Sequence, residues 1–266
     1  MKTLILLVSA LLLAPLARAQ FDFGKISSAL DKAKSVGKMA KGAAGIGPDE
    51  EKVIGESVAL EIIGRYGGLV RDDETLRRVN LVGRGLARYS SRPDLNWRFG
   101  VLNSDSINAF SSPDGYVFIT QALYDLATSD DLLAGILGHE ITHITARHAL
   151  NIVARGEFLS GATSLASQTS SDVRQVDAHL QQFDLGVGKI TQTLFETGFD
   201  PQTEFAADSG GRALAVTTGY APGGLRATLS ELRRRRGDSH QVFSTHPPLK
   251  DRIQHLPNEP APPPSP

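Results

Sequence analysis

The chain has 266 residues and a mass of 28.5 kDa, a length suited to one globular domain with extended ends. Such a domain buries a core without covalent staples. A net charge of −1 and a pI near 6.7 leave no basic footprint for nucleic acid. The absence of cysteine excludes disulfides, thiolate metal ligands, a Cys nucleophile and a lipid-anchoring Cys.

In chain order, Lys2 precedes an apolar stretch, Leu4 to Leu13, and then Ala17-Arg18-Ala19. Small residues at Ala17 and Ala19 predict a signal peptide over residues 1–19, cleaved before Gln20, and export to a periplasm or beyond the cell. The stretch is too short for a typical span, though a retained anchor is the alternative; no transmembrane span is expected in the mature chain. No twin arginine precedes it, which points to the general secretory route. Residues 20–47 are rich in Lys, Ser, Ala and Gly and read as a flexible lead-in, with one weak amphipathic helix around Ile26 to Met39. Their lysines suit weak contact with an anionic membrane surface.

A packed domain is expected over residues 48–256. Helices are predicted over Asp49 to Arg65 and Asp72 to Ser90, the second ended by Arg92-Pro93-Asp94. Trp97 to Leu102 and Tyr116 to Thr120 carry strand residues bounded by turn chemistry, and Asn108 to Gly115 reads as a loop or an edge strand leading into a turn. Residues 160–182 are Ser, Thr, Gln and Ala with little periodicity, a surface excursion or a lid. Asp200-Pro201 opens a helix to about Thr217, ending at Gly219. Pro222 to Arg236 makes another, whose basic run Arg233 to Arg236 reads as a solvated face, and Leu249 to Leu256 a short last one. Residues 257–266 are a disordered Pro-rich tail.

His139-Glu140-Ile141-Thr142-His143 lies inside a run of helical spacing, Leu132, Leu133, Ile136, Leu137, Ile141 and Ile144, capped by Ser129 with acids at Asp130 and Asp131. Residues four apart share a helix face, so both imidazoles reach one Zn²⁺ and Glu140 lies beside them as base for a water. Two surface histidines are the bland alternative. It has no account of polar residues on so apolar a helix, where burial without a partner is costly. A catalytic zinc keeps three protein ligands, and Thr145, Ala146 and Arg147 do not fit the extension that would supply the third from the same helix. Glu204 near the start of a helix, with Asp208 one turn later to hold a ligand imidazole, is the candidate; from spacing alone an ordinary acidic helix face stands level with it.

Several stretches resemble one family: Ser106 to Phe110, Asp114 to Phe118, Leu137 to His148, Glu204 to Asp208, Gly219 to Pro222, and Thr245 to Pro248. Together they are similar to peptidase family M48, the zinc metallopeptidases related to the CAAX prenyl protease and bacterial BepA-type enzymes. The resemblance implies an α+β, predominantly helical gluzincin fold with a small sheet. It implies one zinc on His139, His143 and Glu204, catalysis by Glu140, and Asp208 behind a ligand. Soluble bacterial relatives often carry an anchoring Cys or a helical-repeat domain, and the prenyl protease many spans; the chain shows none of these, so substrate class does not carry over.

The expected chemistry is hydrolysis of peptide bonds in unfolded or misassembled proteins of the cell envelope. His246, on a Pro-stiffened loop that resembles the family's late histidine motif, is the candidate oxyanion donor. It could instead occupy the open zinc position in a resting enzyme, or be a surface residue. Arg147 and His148 support the surroundings of the site, while His179, His240 and His255 read as surface residues. A substrate strand added along Asn108, Ala109, Phe110 and Ser111 would read main chain more than side chains. The rival reading is a chaperone or assembly factor that holds clients in the same groove; a purely structural zinc module leaves Glu140 without a task.

Overall fold

Pro48 opens helix α1 (Pro48–Arg65) at the position where its missing N–H is no loss, and Asp49, Glu50 and Glu51 fill the first turn. The computed structural model describes residues 46–154, 186–237 and 246–259. Helix α2 (Asp73–Arg88) is capped by Asp72, whose carboxylate accepts from the Thr75 N–H, and it buries Val79, Val82 and Leu86 on one face. Strands β1 (Arg98–Leu102), β2 (Ala109–Ser112) and β3 (Tyr116–Thr120) form a sheet in the order β1-β3-β2. β1 runs parallel to β3 and β2 antiparallel to it. The β2–β3 turn passes through Asp114 and Gly115, both at positive φ, of 63° and 89°.

A short helix, α3 (Gln121–Leu126), leads to the central helix α4 (Asp130–Thr145), and α5 (His148–Ala154) follows. Ser129 caps α4 as its sequence predicts, its Oγ accepting from the Leu132 N–H at 3.3 Å. Helix α6, residues 186–192, runs into a π-helical turn at Thr193–Thr197. Then come α7 (Pro201–Thr218), α8 (Gly224–Arg236) and α9 (Leu249–His255). The architecture is mostly helical with one small sheet, the expected α+β class. Among the described residues no helix is long and apolar enough to cross a membrane.

Helix α4 is the spine: Leu133, Leu137 and Ile141 are fully buried, with α7, α8 and α2 packed around them. Its closest neighbour is α7, and glycine makes that approach possible. A Cβ on Gly138 would stand 2.8 Å from the Gly211 carbonyl oxygen, and one on Gly211 would stand 2.5 Å from the His139 nitrogen. Backbone therefore meets backbone where the two helices cross, which brings the side chains of α7 within reach of those on α4.

The predicted elements fall close to those observed. Asn108 to Gly115, left between loop and edge strand, resolves into β2 and its turn. The helix expected from Pro222 starts at Gly224, and the one expected to reach Leu256 ends at His255. Glu259 forms an ion pair with Arg212 of α7, so residues 257–259, assigned from composition to a structureless tail, are tied to the domain. The basic run of α8 is solvated: the Arg234 and Arg235 side chains are 71% and 51% exposed, and both pair with Glu231. The signal segment 1–19, the lead-in up to residue 45, the excursion 160–182 and the tail from residue 260 lie outside the described residues.

Candidate metal centre

His139 and His143 project from the same face of α4 and are both 3% exposed. Their Nε2 atoms face each other at 3.1 Å. Glu204, fully buried in the first turn of α7, presents Oε2 at 3.6 Å from His139 Nε2 and Oε1 at 3.6 Å from His143 Nε2. The loop before α9 brings His246 Nδ1 to 2.6 Å from Glu204 Oε2. Ligand-capable atoms of His139, Glu204 and His246 all lie within 4.8 Å of one another. Glu140 is buried on α4 between the two histidines, 4% exposed. The structure thus gathers Glu140, His139, His143, Glu204, Asp208 and His246 from three separate segments into one place.

The outer contacts of the imidazoles suit tautomers that leave both Nε2 atoms free to bind a cation. Asp208, one turn after Glu204, accepts from His139 Nδ1 at 2.8 Å, so the Nε2 of the neutral ring carries a lone pair. His143 Nδ1 contacts His148 Nδ1 at 3.0 Å, and with His143 as the donor its Nε2 is likewise unprotonated. Two lone pairs and a carboxylate would then point at one another in a buried space. Oε1 of Glu204 has no hydrogen-bond partner. A divalent cation resolves all three, and the donor set of two imidazoles and a carboxylate suits one.

Electrostatics agrees. Burial pushes the Glu204 carboxyl up, but the charge and hydrogen bond of His246, with His143 and His139, outweigh it and hold the group well below the carboxylate range. Burial likewise opposes ionisation of Asp208, and Arg252 with the His139 hydrogen bond overcomes it. Burial drives His143 far below the usual imidazole value despite Glu204. His139 is shifted up, because Asp208 and Glu204 outweigh its burial and the repulsion of Arg252, so without a cation the site favours a second proton on this ring, in the place a metal would take.

Three neighbours had no role assigned from sequence. Phe199, just before α7, stacks on the His143 ring with centroids 4.6 Å apart and planes at 24°. Glu51 of α1 is 2% exposed and holds Arg92 bidentately at 2.7 and 3.0 Å, with Arg147 at 3.3 Å. Arg147 therefore braces the end of the metal helix, as its position suggested, in a left-handed conformation with φ of 56°. The third is Arg252 of α9, buried against Asp208. Its spacing six residues after His246 was visible, but nothing in the sequence says that a helical arginine points inward.

β2 is one of the two outer strands of the sheet, β1 being the other. The Thr120 N–H donates to the Asn108 carbonyl, so by antiparallel alternation Phe110 and Ser112 turn their main-chain groups towards β3, while Ala109 and Ser111 turn theirs away. Asn108 Oδ1 accepts from the Ala109 N–H at 2.9 Å. The Phe110 ring is buried against Tyr66 and Phe195 and belongs to the core. Ser111 and Ser112 line a small concavity with His143, Arg147, Leu150 and Phe199.

A helix that carries the HExxH sequence, crossed by a second helix that brings a buried carboxylate to its two imidazoles, defines a metallopeptidase domain of the HExxH type. The chain belongs to peptidase family M48, whose model matches residues 73–259. It is 26% identical over 213 residues to the mitochondrial metalloendopeptidase OMA1 of Schizosaccharomyces pombe, covering 78% of this chain and 60% of that one. It is 24% identical over 250 residues to the β-barrel assembly-enhancing protease of Escherichia coli, covering 88% and 49%. Metalloprotease YcaL of Escherichia coli is 24% identical over 188 residues, 68% of each chain. The chain thus spans between about half and two thirds of the length of these relatives.

Proposed function

We propose that the chain is a zinc-dependent endopeptidase of the cell envelope that cuts unfolded or misassembled proteins. The observation that carries the chemistry is the convergence of His139, His143 and Glu204 around a buried carboxylate oxygen that has no hydrogen bond, with Glu140 buried next to His139 in α4. In this reading His139, His143 and Glu204 hold zinc, and Asp208 orients His139. Zinc there would supply Lewis acidity for the scissile carbonyl and make water a nucleophile near neutral pH. Glu140 takes the proton of that water and returns it to the leaving amine. The main chain of β2 at Ser111 and the Ala109 carbonyl would accept an extended substrate strand, with Asn108, whose side chain holds the Ala109 N–H, at its end. Phe110 contributes only by holding the strand in place. His246, which stands against Glu204, is in this reading the donor to the developing oxyanion.

Location and clients rest on the expected signal peptide and on the name of the β-barrel assembly-enhancing relative. The test is degradation of an unfolded model protein by the purified chain beside its Glu140→Gln variant, with and without zinc. Cleavage by the unaltered chain alone, abolished by a chelator, supports the reading; absence of bound zinc refutes it.

The seating of His246 on Glu204 favours a second reading, a latent protease that mainly holds clients as a chaperone or assembly factor. It requires that the Glu140→Gln chain still rescue function in cells.

A further inference from the structure

Arg252 is a large, fully buried cation, 2% exposed, on a helix of only 7 residues. Its Nε donates to Asp208 Oδ2 at 3.0 Å and its Nη2 to Asp208 Oδ1 at 2.6 Å, a bidentate pair. The same Oδ1 accepts from His139 Nδ1 at 2.8 Å, and Nη2 stands 3.3 Å from that nitrogen. Two donors therefore converge on one carboxylate oxygen. The guanidinium fork admits a single orientation of Asp208, and that orientation points Oδ1 at the imidazole.

Arg252 also belongs to the segment that carries His246. Pro247 and Pro248 stiffen the link between them, and Pro248 directly precedes α9. The segment touches the ligand helix at both ends: His246 on Glu204, and Arg252 on Asp208, four residues further along α7. Breaking the second contact would leave a buried carboxylate without its counter-charge, a costly state. Arg252 feels Glu204 and Glu140 as well as Asp208, so it is the positive charge shared by all three acids of the site.

We infer that Arg252 is a positioning residue that seats the His246 segment and the metal ligands as one unit. It locks Asp208 onto His139 and at the same time fixes where His246 stands. Metal affinity and the order of residues 246–255 are then coupled through one guanidinium. The inference rests on the proposed metal site, but one arm of its test does not.

The test compares the full chain with Arg252→Met, Arg252→Lys, Asp208→Asn and the double variant Asp208→Asn/Arg252→Met. Zinc affinity is measured by competition with a chromophoric chelator, and amide exchange over residues 249–255 is measured without metal. Arg252→Met fills the same volume without charge and should weaken zinc by about 10–100-fold, the usual cost of losing an outer partner of a ligand. Arg252→Lys should recover part of that loss, and the double variant should bind zinc no worse than Arg252→Met alone. Exchange over residues 249–255 should rise in Arg252→Met. A folded Arg252→Met chain with unaltered zinc affinity overturns the inference, as does a double variant whose losses multiply. If Arg252→Met does not fold, Arg252→Lys decides by the same two measurements. If the unaltered chain binds no zinc, the metal reading fails by itself, and unchanged exchange in Arg252→Met would still overturn the seating role.

Discussion

His246 Nδ1 stands 2.6 Å from Glu204 Oε2, a full ångström closer than the 3.6 Å between that oxygen and Nε2 of His139. As the proposed metal ligand, the Glu204 carboxylate would be shared between the metal and the loop before α9. In the proposed role of oxyanion donor, His246 would act in the transition state more than in substrate binding. His246→Ala should therefore lower kcat by about 100-fold with KM little changed. Steady-state kinetics on an unfolded substrate checks this. A rise in kcat would instead show that the imidazole blocks the open metal position at rest, and an unchanged kcat would remove it from the site.

Glu140→Gln keeps size and a hydrogen-bonding group but cannot take a proton. Turnover should fall by about 100–10,000-fold, the range for losing a general base. Zinc content, read by atomic emission on the same sample, should stay at the unaltered value, since Glu140 is not a ligand in this scheme. Loss of metal along with activity would place Glu140 in the coordination set.

Much of this was legible because local chemistry and packing agree along the chain. Ser129, Asp72 and Asp200 cap their helices through side-chain oxygens, Gly219 closes α7 at a φ of 100°, and the spacing of His139 and His143 needs only a helix to become a site. Glu204 lay at the edge of that logic: its spacing to Asp208 left it level with an ordinary acidic helix face, and the family resemblance joined it to residues some sixty positions earlier. Arg252 and Phe199 were not legible at all. Inward arginines and loop phenylalanines carry no periodic signal, and their roles arise where α9 and the end of the 193–197 turn meet α4. Phe110, placed on the substrate edge by strand position, turns its ring into the core, which strand position does not reveal.

Metal should stabilise the fold as well as serve it. The ligands come from two helices, and an unfolded chain offers no such cluster. Zinc at about 100 times its Kd should add about 2.7 kcal/mol. For a domain of this size that raises Tm by about 5–10 °C. Calorimetry of the chelated and reloaded chain checks this. Equal Tm in both states would mean that His139, His143 and Glu204 hold no ion.

Acid should unfold the metal-free chain through the carboxylates of the site. Asp208 and Glu204 are both held below the ordinary carboxylate range, the first by Arg252 against its burial, the second by His246. A carboxyl with a lower pKa in the folded state stabilises the fold fully above its unfolded value, about 4, and loses that contribution as pH falls further. His139 and His143 shift in opposite directions, so their contributions oppose each other across neutrality. Stability measured with urea should hold from neutrality to about pH 5 and fall steeply below about pH 4. Asp208→Asn should flatten that fall; an identical acid limb would show that Asp208 is not ionised against Arg252.

The crossing of α4 and α7 offers the sharpest packing test. Gly211→Ala places a methyl 2.5 Å from the His139 backbone nitrogen, where no side chain can rotate away. The helices must separate, which carries Glu204 and Asp208 away from His139 and His143. Stability should drop by about 1–3 kcal/mol, and zinc affinity should drop with it. Gly210→Ala meets only the Thr142 side chain, at 2.6 Å, and Gly85→Ala meets nothing nearer than Thr218 Cγ2 at 3.8 Å. The first should therefore cost less than Gly211→Ala, because a threonine methyl can turn. Gly85→Ala, inside α2, should gain up to about 1 kcal/mol from helix propensity. Chemical denaturation of the three variants, with zinc titration of each, gives the order. If Gly211→Ala bound zinc like the unaltered chain, the close backbone contact would not be what brings the carboxylate helix to the histidines.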